Sequence, residues 1–395
     1  MHTDYGHFTR SLEERKKDLK EIYYTVSVRA LALSMVLLFI PLYLYKELSY
    51  GFDQVIYFYI AMMISAIIIM PFVGILISVM GIKRTLVLST PFYILSLFLL
   101  YALNSTNLPY IIPAILYSFG FALFWIPFNV AFAKASDKKS RGKETGIWFA
   151  LNSIASIIGP LIGASLLTYF GGFLVLFIVA SIIFALSSLP LLFTKDSTMP
   201  APFSLSYMIS QDHFRDLFAF ISYGIRNCTL LVFWPIFVFL LLGTYLSLGE
   251  FGTLVGLISV SFALIIGRLS DQIPKERIIK IGALLNSFSW FMRLFVRSFL
   301  GLTIFTAIGM FSFMMVEIPL YAKSETRAAK SKPRLVEYII FKEIWITIGR
   351  LLLLLFVLTT FYLLTPYFTE SLATHYAILG GVLVAAIAPI AWMFY

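Results

Sequence analysis

Apolar segments long enough to cross a lipid bilayer recur twelve times along this chain, and no water-soluble fold can bury that many. They run roughly over 22–45, 54–79, 85–103, 109–133, 144–169, 172–193, 217–243, 250–269, 278–298, 300–322, 338–364 and 374–394. Crossing about 30 Å of hydrocarbon takes about 20 mainly apolar residues at about 1.5 Å each. Only 13% of the 395 residues are charged, where a soluble domain carries roughly a quarter. Backbone polar groups in lipid must be satisfied within their own segment, which selects helices. The expected fold is an all-α membrane protein of twelve transmembrane helices, in contact with membrane lipids on its outer face.

The connections alternate in charge. Twenty-three of the 30 basic residues fall on one side, in the N-terminal segment and in the loops after the even-numbered segments. Only Lys46 and Arg297 fall on the other side. A miscount by one segment would scramble this alternation. The positive-inside rule then places both termini in the cytoplasm and the chain in the cell membrane as a multi-pass protein. The net charge of +10 is thereby a mark of topology, and no nucleic acid partner is expected. Residues 1–21 form a polar cytoplasmic segment without the apolar stretch of a cleavable signal. Within it, Ser11 and Glu14 have capping-box spacing. Cys228 is the one cysteine, so no intrachain disulfide is possible.

The longest polar interruption, residues 194–216 with Pro200 and Pro202, divides the chain into six segments (22–193) and six more (217–395). The two sets repeat. Pro41 is followed 33 residues later by Gly74, and Pro235 is followed 32 residues later by Gly267. In segment 4, the stretch from Gly120 to Ala133-Lys134 has the same length as that from Gly309 to Ala322-Lys323 of segment 10, each with a proline inside (Pro127, Pro319). Two parallel six-helix pseudo-repeats follow, a plan in which substrate sites lie between the halves.

Two loops carry related motifs. One has Gly74, Gly81, Lys83 and Arg84, with Ser78 and Val79 between the glycines; the other has Gly267, Asp271, Pro274 and Arg277. Both resemble the G-x-x-x-D-[RK]-x-G-x-[RK]-[RK] signature of the major facilitator superfamily. Segment 5 has Gly146, Ala155, Gly159-Pro160 and Gly163-Ala164, a series similar to that family's antiporter motif. Small residues four apart let another helix come close. The resemblance implies the major facilitator fold, a latch between the halves formed by the loop motifs, and a seam between segments 5 and 8. Segment 4 departs from the proton-coupled drug antiporters, because Leu116 stands four residues before Gly120 where they have arginine.

An ionised side chain near the bilayer centre costs about 2.5–3.5 kcal/mol on insertion scales, so each needs a partner, water or a task. Arg29, Arg226, Glu317 and Arg350 are such positions, on segments 1, 7, 10 and 11. In the superfamily these segments bound the central cavity, so the four are expected to converge there. Glu317 is expected to pair with Lys342 or Arg350 and to serve as a proton carrier. Arg293 and Arg297 are expected to snorkel to the outer interface. Tyr117, Phe121 and Trp125 form an aromatic stripe, and Asn129, Asn152, Asn227 and Trp234 complete the candidate substrate or coupling residues.

These features point to a secondary active transporter working by alternating access. Its expected partners are a small-molecule substrate and protons, with efflux as the expected direction. A monomer is expected. An organic-anion uptake carrier and a lipid flippase are alternatives on the same fold. A membrane-embedded enzyme is remote, since His2, His7, His213 and His375 are scattered and no acidic cluster lies within a segment. No cofactor or metal is implied.

Overall fold

The computed structural model describes residues 12–136, 141–194, 196, 198–199, 214–272, 274–296, 298–330 and 334–394. Ser11 of the capping-box pair, the linker prolines Pro200 and Pro202, and Arg297 lie outside these residues. Every rod described is helical: α1 (Leu12–Leu37), α2 (Phe52–Met80), α3 (Ile82–Ala102), α4 (Ile111–Ala135), α5 (Arg141–Tyr169), α6 (Gly172–Leu192), α7 (Phe214–Cys228), α8 (Tyr245–Gln272), α9 (Lys275–Arg293), α10 (Phe299–Lys330), α11 (Leu335–Leu364) and α12 (Glu370–Ile387). Ten of the twelve rods are long and apolar enough to cross a membrane over their described residues. The exceptions are α8, counted only as its apolar stretch Tyr245–Ile258, and α9, which begins with Lys275, Glu276 and Arg277.

Lipid-facing stripes show how the sequence selects this arrangement. Along α2, Ile64, Ile68, Phe72, Ile75 and Val79 recur at helical spacing and are exposed, while Met63, Ala66, Met70, Val73 and Ile77 are buried. Both faces are apolar, because lipid and protein interior ask for the same chemistry. Contacts between rods repeat between halves: α1 packs on α5 and α6 as α7 packs on α11 and α12. Likewise α3 packs on α4 and α6 as α9 packs on α10 and α12, and α2 meets α4 as α8 meets α10. The halves join along α5–α8 and α2–α11, related by the same pseudo-symmetry.

Both α1 and α7 are discontinuous. After Leu37 the first rod breaks, resumes at Ile40–Leu42 and ends in a π turn, Tyr43–Glu47. The seventh passes through a π turn, Thr229–Phe233, into Trp234–Leu242. Pro41 and Pro235 stand beside these breaks. Each lacks an N–H, which leaves an upstream carbonyl without its helical partner.

At the end of the bundle rich in basic residues, Gly81 adopts φ +100° between α2 and α3, a conformation that favours glycine. The Asp196 carboxylate accepts from the backbone N–H groups of Lys83 (2.9 Å) and Arg84 (2.8 Å), capping α3. The Lys83 ammonium reaches Asp18 (3.0 Å), Glu21 (2.6 Å) and Thr194 (3.1 Å). These described bonds join elements of the first six rods to one another rather than to the second half. With Ser78 bonded back to the Ile75 carbonyl at 2.7 Å, Asp196 supplies the carboxylate from after α6. In the second half, Asp216 accepts from Arg327 and from Tyr338 (3.1 Å). Arg277 is exposed, and the side chain of Asp271 lies outside the description.

The small-residue stripe of α5 is reassigned in part. Gly159 and Gly163 face Ser34 and Met35 of α1 and Phe39 in the break that follows it, inside the same half. The seam is smoothed instead from α8: a Cβ on Gly252 would meet Pro160 at 3.1 Å, and one on Gly256 the Ile157 Cα at 3.0 Å. Nothing lies within 4 Å of such an atom at Gly146.

Candidate functional site: a two-lobed cavity between the halves

A cavity lies where the two sets of six rods face each other. One lobe, of about 270 Å³, is lined from α1, α2, α3, α4, α7, α10 and α11; the other, of about 370 Å³, from α1, α4, α5, α7, α8 and α10. Leu33, Leu37, Trp125 and Leu231 line both lobes. The breaks in α1 and α7 therefore lie against the cavity, with Ile40 and Val232 on its wall.

Its two ends are bridged by contacts between halves. At the end opposite the basic loops, Tyr245 donates to Glu47 (2.6 Å) and Tyr362 donates to Asp53 (2.9 Å), with Tyr57 and Tyr362 hydroxyls 3.1 Å apart. Lys46 lies 4.7 Å from the Phe239 ring centre. Toward the basic end, Asn129 donates to Glu343 at 3.0 Å, and the Trp148 and Tyr321 rings meet edge to face with centres 5.5 Å apart. Contacts between the halves thus cross the cavity toward both ends.

Charges expected to converge here divide into two shells. Arg350 lines the first lobe, 5.1 Å from the Phe121 ring centre, beside Tyr93, Tyr117 and Asn227. Arg29 lines the second lobe, together with Trp125, Asn152 and Trp234. It is fully buried, donates to Ser89 (2.6 Å) and Thr90 (2.7 Å), and lies 4.2 Å from the Phe124 ring centre. Thr90 in turn meets Ser188 at 2.5 Å.

Arg226 and Glu317 stand behind the lining. The Arg226 guanidinium packs 3.3 Å from the Phe313 ring centre and reaches the Met310 sulfur at 3.6 Å. Phe124 and Phe313 each lie four residues after the matched glycines Gly120 and Gly309, so each half holds an embedded arginine on an equivalent ring. The expected pairing of Glu317 with Lys342 or Arg350 is replaced by a different bond: Tyr223, which lines the cavity, donates to the Glu317 carboxylate at 2.6 Å. Lys342 approaches Glu343 at 3.8 Å. Asn129 is wall rather than lining.

Arg293 corrects the snorkelling expectation. It is buried at 1% exposure, 4.0 Å from the Trp290 ring centre, and donates to the Phe305 carbonyl at 3.2 Å. A guanidinium over a tryptophan face is attracted by the ring quadrupole, so an internal aromatic box replaces the interface. The aromatic stripe Tyr117, Phe121 and Trp125 does line the cavity, Phe124 lines the second lobe, and Phe128 packs within the wall.

Sequence reasoning missed Tyr93 and Tyr321 as lining residues, and the tyrosine–carboxylate bridges at the far end. The adjacent hydroxyls Ser89-Thr90 within the membrane-spanning part of α3 were a usable signal for a buried cation nearby.

A family profile described as the Major Facilitator Superfamily matches residues 22–333. Among solved structures, the chain is similar to the human organic anion transporter MFSD10 (TETRAN), with a TM-score of 0.70 and 13% identity, over 97% of this chain and 100% of that one. It is similar also to FucP, a major facilitator transporter captured in an outward conformation, with a TM-score of 0.63 and 14% identity, over 95% and 96% of the two chains. A second structure of that protein, the E. coli fucose:proton symporter, gives a TM-score of 0.62. Among curated sequences, the uncharacterized protein YqgE of Bacillus subtilis (strain 168) is 26% identical over 247 residues, spanning 60% of this chain and 57% of that protein.

Proposed function

Since this chain belongs to the major facilitator superfamily, whose members are secondary transporters, we propose that it carries a small amphipathic organic solute through the two-lobed cavity by alternating access, coupled to protons. The observation that carries this reading is the cavity itself: it lies between two pseudo-symmetric halves, is bridged at both ends, and is flanked by broken helices. Broken rods at a central site are a recurring device of carriers that rock about it. An aromatic and aliphatic lining with a few polar groups suits a solute with an apolar body. Two structural neighbours are an organic anion transporter and a fucose:proton symporter, which supports a small organic cargo and makes proton coupling a reasonable partner reaction.

The proposed units are 22–193 and 217–395, joined by the 194–216 linker, in a multi-pass protein of the cell membrane with both termini in the cytoplasm. The cavity is complete within one chain, which supports action as a monomer. Efflux in exchange for protons is the proposed direction, supported by the antiporter-like glycine series of α5.

For coupling, Glu317 is the proposed proton carrier. Its carboxylate sits one hydroxyl away from the cavity through Tyr223 and within electrostatic reach of Arg226. Protonation removes the charge that Tyr223 and Arg226 hold, so it changes contacts between α7 and α10 at the cavity wall. The test is transport by purified protein in proteoliposomes under an imposed pH gradient. Glu317→Gln is expected to leave the protein inserted and able to exchange solute, while abolishing accumulation driven by the gradient. Accumulation unchanged in that variant would remove Glu317 from the mechanism.

A further inference from the structure

The first lobe of the cavity holds a cation that the described residues do not neutralise. Arg350 lines the lobe, its Nε is buried without an acceptor, and its described contact is with the face of Phe121. No carboxylate among the described residues lies within ion-pair distance of it. An unpaired guanidinium in the middle of a membrane protein is costly. By contrast, Glu343, the one acid in the lining, is occupied by Asn129 at 3.0 Å and Lys342 at 3.8 Å.

Other polar groups around the lobe are also unspent. The Tyr93 hydroxyl is fully buried and has no partner, and neither does the Asn227 amide oxygen. Both belong to residues that line the lobe with Arg350. Buried donors and acceptors are normally satisfied, and leaving one empty costs about 1–3 kcal/mol. The remaining surface is apolar: Phe58, Met62, Met63 and Leu231 are among its lining. The second lobe adds Arg29, whose bonds run to neutral hydroxyls and whose charge stays uncompensated by any described carboxylate.

We propose that the cargo is an amphipathic organic monoanion, its carboxylate accepting from Arg350 and the Tyr93 hydroxyl, its apolar body lying on the aromatic wall. This deepens the reading of the cavity as the cargo site and rests on it. A guanidinium matches a planar carboxylate in a two-bond fork. Within this lobe one free guanidinium balances one negative charge, while Arg29 belongs to the other lobe and is already held by Ser89 and Thr90, which selects a monoanion over a phosphate dianion. Bound cargo supplies the charge and the acceptors that the empty lobe lacks, so the cavity is more stable filled than empty.

The test uses three probes with one ring system and different heads: 1-naphthylacetate, 1-naphthylacetamide and 1-naphthylethylamine. Each is titrated against the purified full-length chain in detergent, with the rise in Tm as readout, because a ligand of the native state stabilises it in proportion to its affinity. The acid is expected to bind roughly tenfold or more tightly than the amide, the worth of a charge-assisted hydrogen-bond pair, and the amine weakest. Arg350→Gln is expected to erase the preference for the acid, and Arg350→Lys to keep part of it. Equal shifts from acid and amide, or a preference that survives Arg350→Gln, would overturn the proposal, as would no shift from any probe. Leu231→Trp, which fills both lobes, separates the two readings. If it abolishes binding of amide and amine that bound as well as the acid, the cavity stands as cargo site and only the anion inference falls. If it leaves every shift unchanged, the cavity reading falls and takes the inference with it.

Discussion

Arginines buried away from water are the residues on which this molecule turns, and their partners explain why lipid tolerates them. Arg29 has no carboxylate among its described partners; its charge is spread over two hydroxyls and the ring of Phe124. Removing the acceptors while keeping the cation should hurt more than removing the cation. Ser89→Ala with Thr90→Val is expected to destabilise the protein by on the order of 3 kcal/mol, the combined worth of two charge-assisted bonds, seen as a lower Tm in detergent. Arg29→Leu, which takes the charge away as well, should lie closer to wild type in Tm. The reverse order would show that the guanidinium is held by something other than these hydroxyls. Positions of embedded charges were legible in the sequence, because an ionised residue in an apolar run is conspicuous. Their partners were not: cation–ring contacts and hydroxyl acceptors come from neighbouring rods, and no local pattern in α1 or α9 announces them. Arg293, read as an interface residue from its depth in the span, is boxed by Trp234 and Trp290 instead.

At the level of elements, the seam between halves depends on how closely α5 and α8 approach. A Cβ on Gly256 would stand 3.0 Å from the Cα and 3.1 Å from the backbone nitrogen of Ile157, and backbone cannot swing aside as a side-chain tip can. Thr253 adds a hydrogen bond across the same seam, donating to the Ile157 carbonyl at 2.8 Å. Gly256→Val is expected to force the two rods apart and cut the transport rate by roughly tenfold or more, since misplacement of about 1 Å is worth that much in a positioned site, with the protein still inserted. Gly146→Ala, at a position with open space around it, should transport as wild type. Transport by Gly256→Val at the wild-type rate would show that the seam is looser than its geometry implies. The small-residue stripe of α5 was visible as a spacing, and that spacing correctly announced close helix packing. Which neighbour it meets depends on the azimuth of each rod, so the sequence could not tell α1 from α8.

For the whole molecule, the number of rods and their pairing into two like halves followed from hydropathy, alternating loop charge and the matched Pro41/Pro235 and Gly120/Gly309 positions, which are properties of single segments. The contacts that bridge the two ends of the cavity did not, because they depend on pairs of residues far apart in the chain. Glu47 with Tyr245 closes the end opposite the basic loops along one seam, and Asp53 with Tyr362 closes it along the other. Removing both hydroxyls should shift the population toward a form open at that end. The one cysteine of the chain, Cys228, lines the cavity and is buried, which makes it a built-in reporter of access. The measurement is the rate at which a membrane-impermeant thiol reagent modifies Cys228 from each face of sealed vesicles, for the wild type and for Tyr245→Phe with Tyr362→Phe. Alternating access predicts that the wild type reacts slowly, that each face gains access under some condition of pH or added solute, and that the double variant reacts several-fold faster from the far side. Reaction from one face alone under every condition, with the double variant unchanged, would contradict the account.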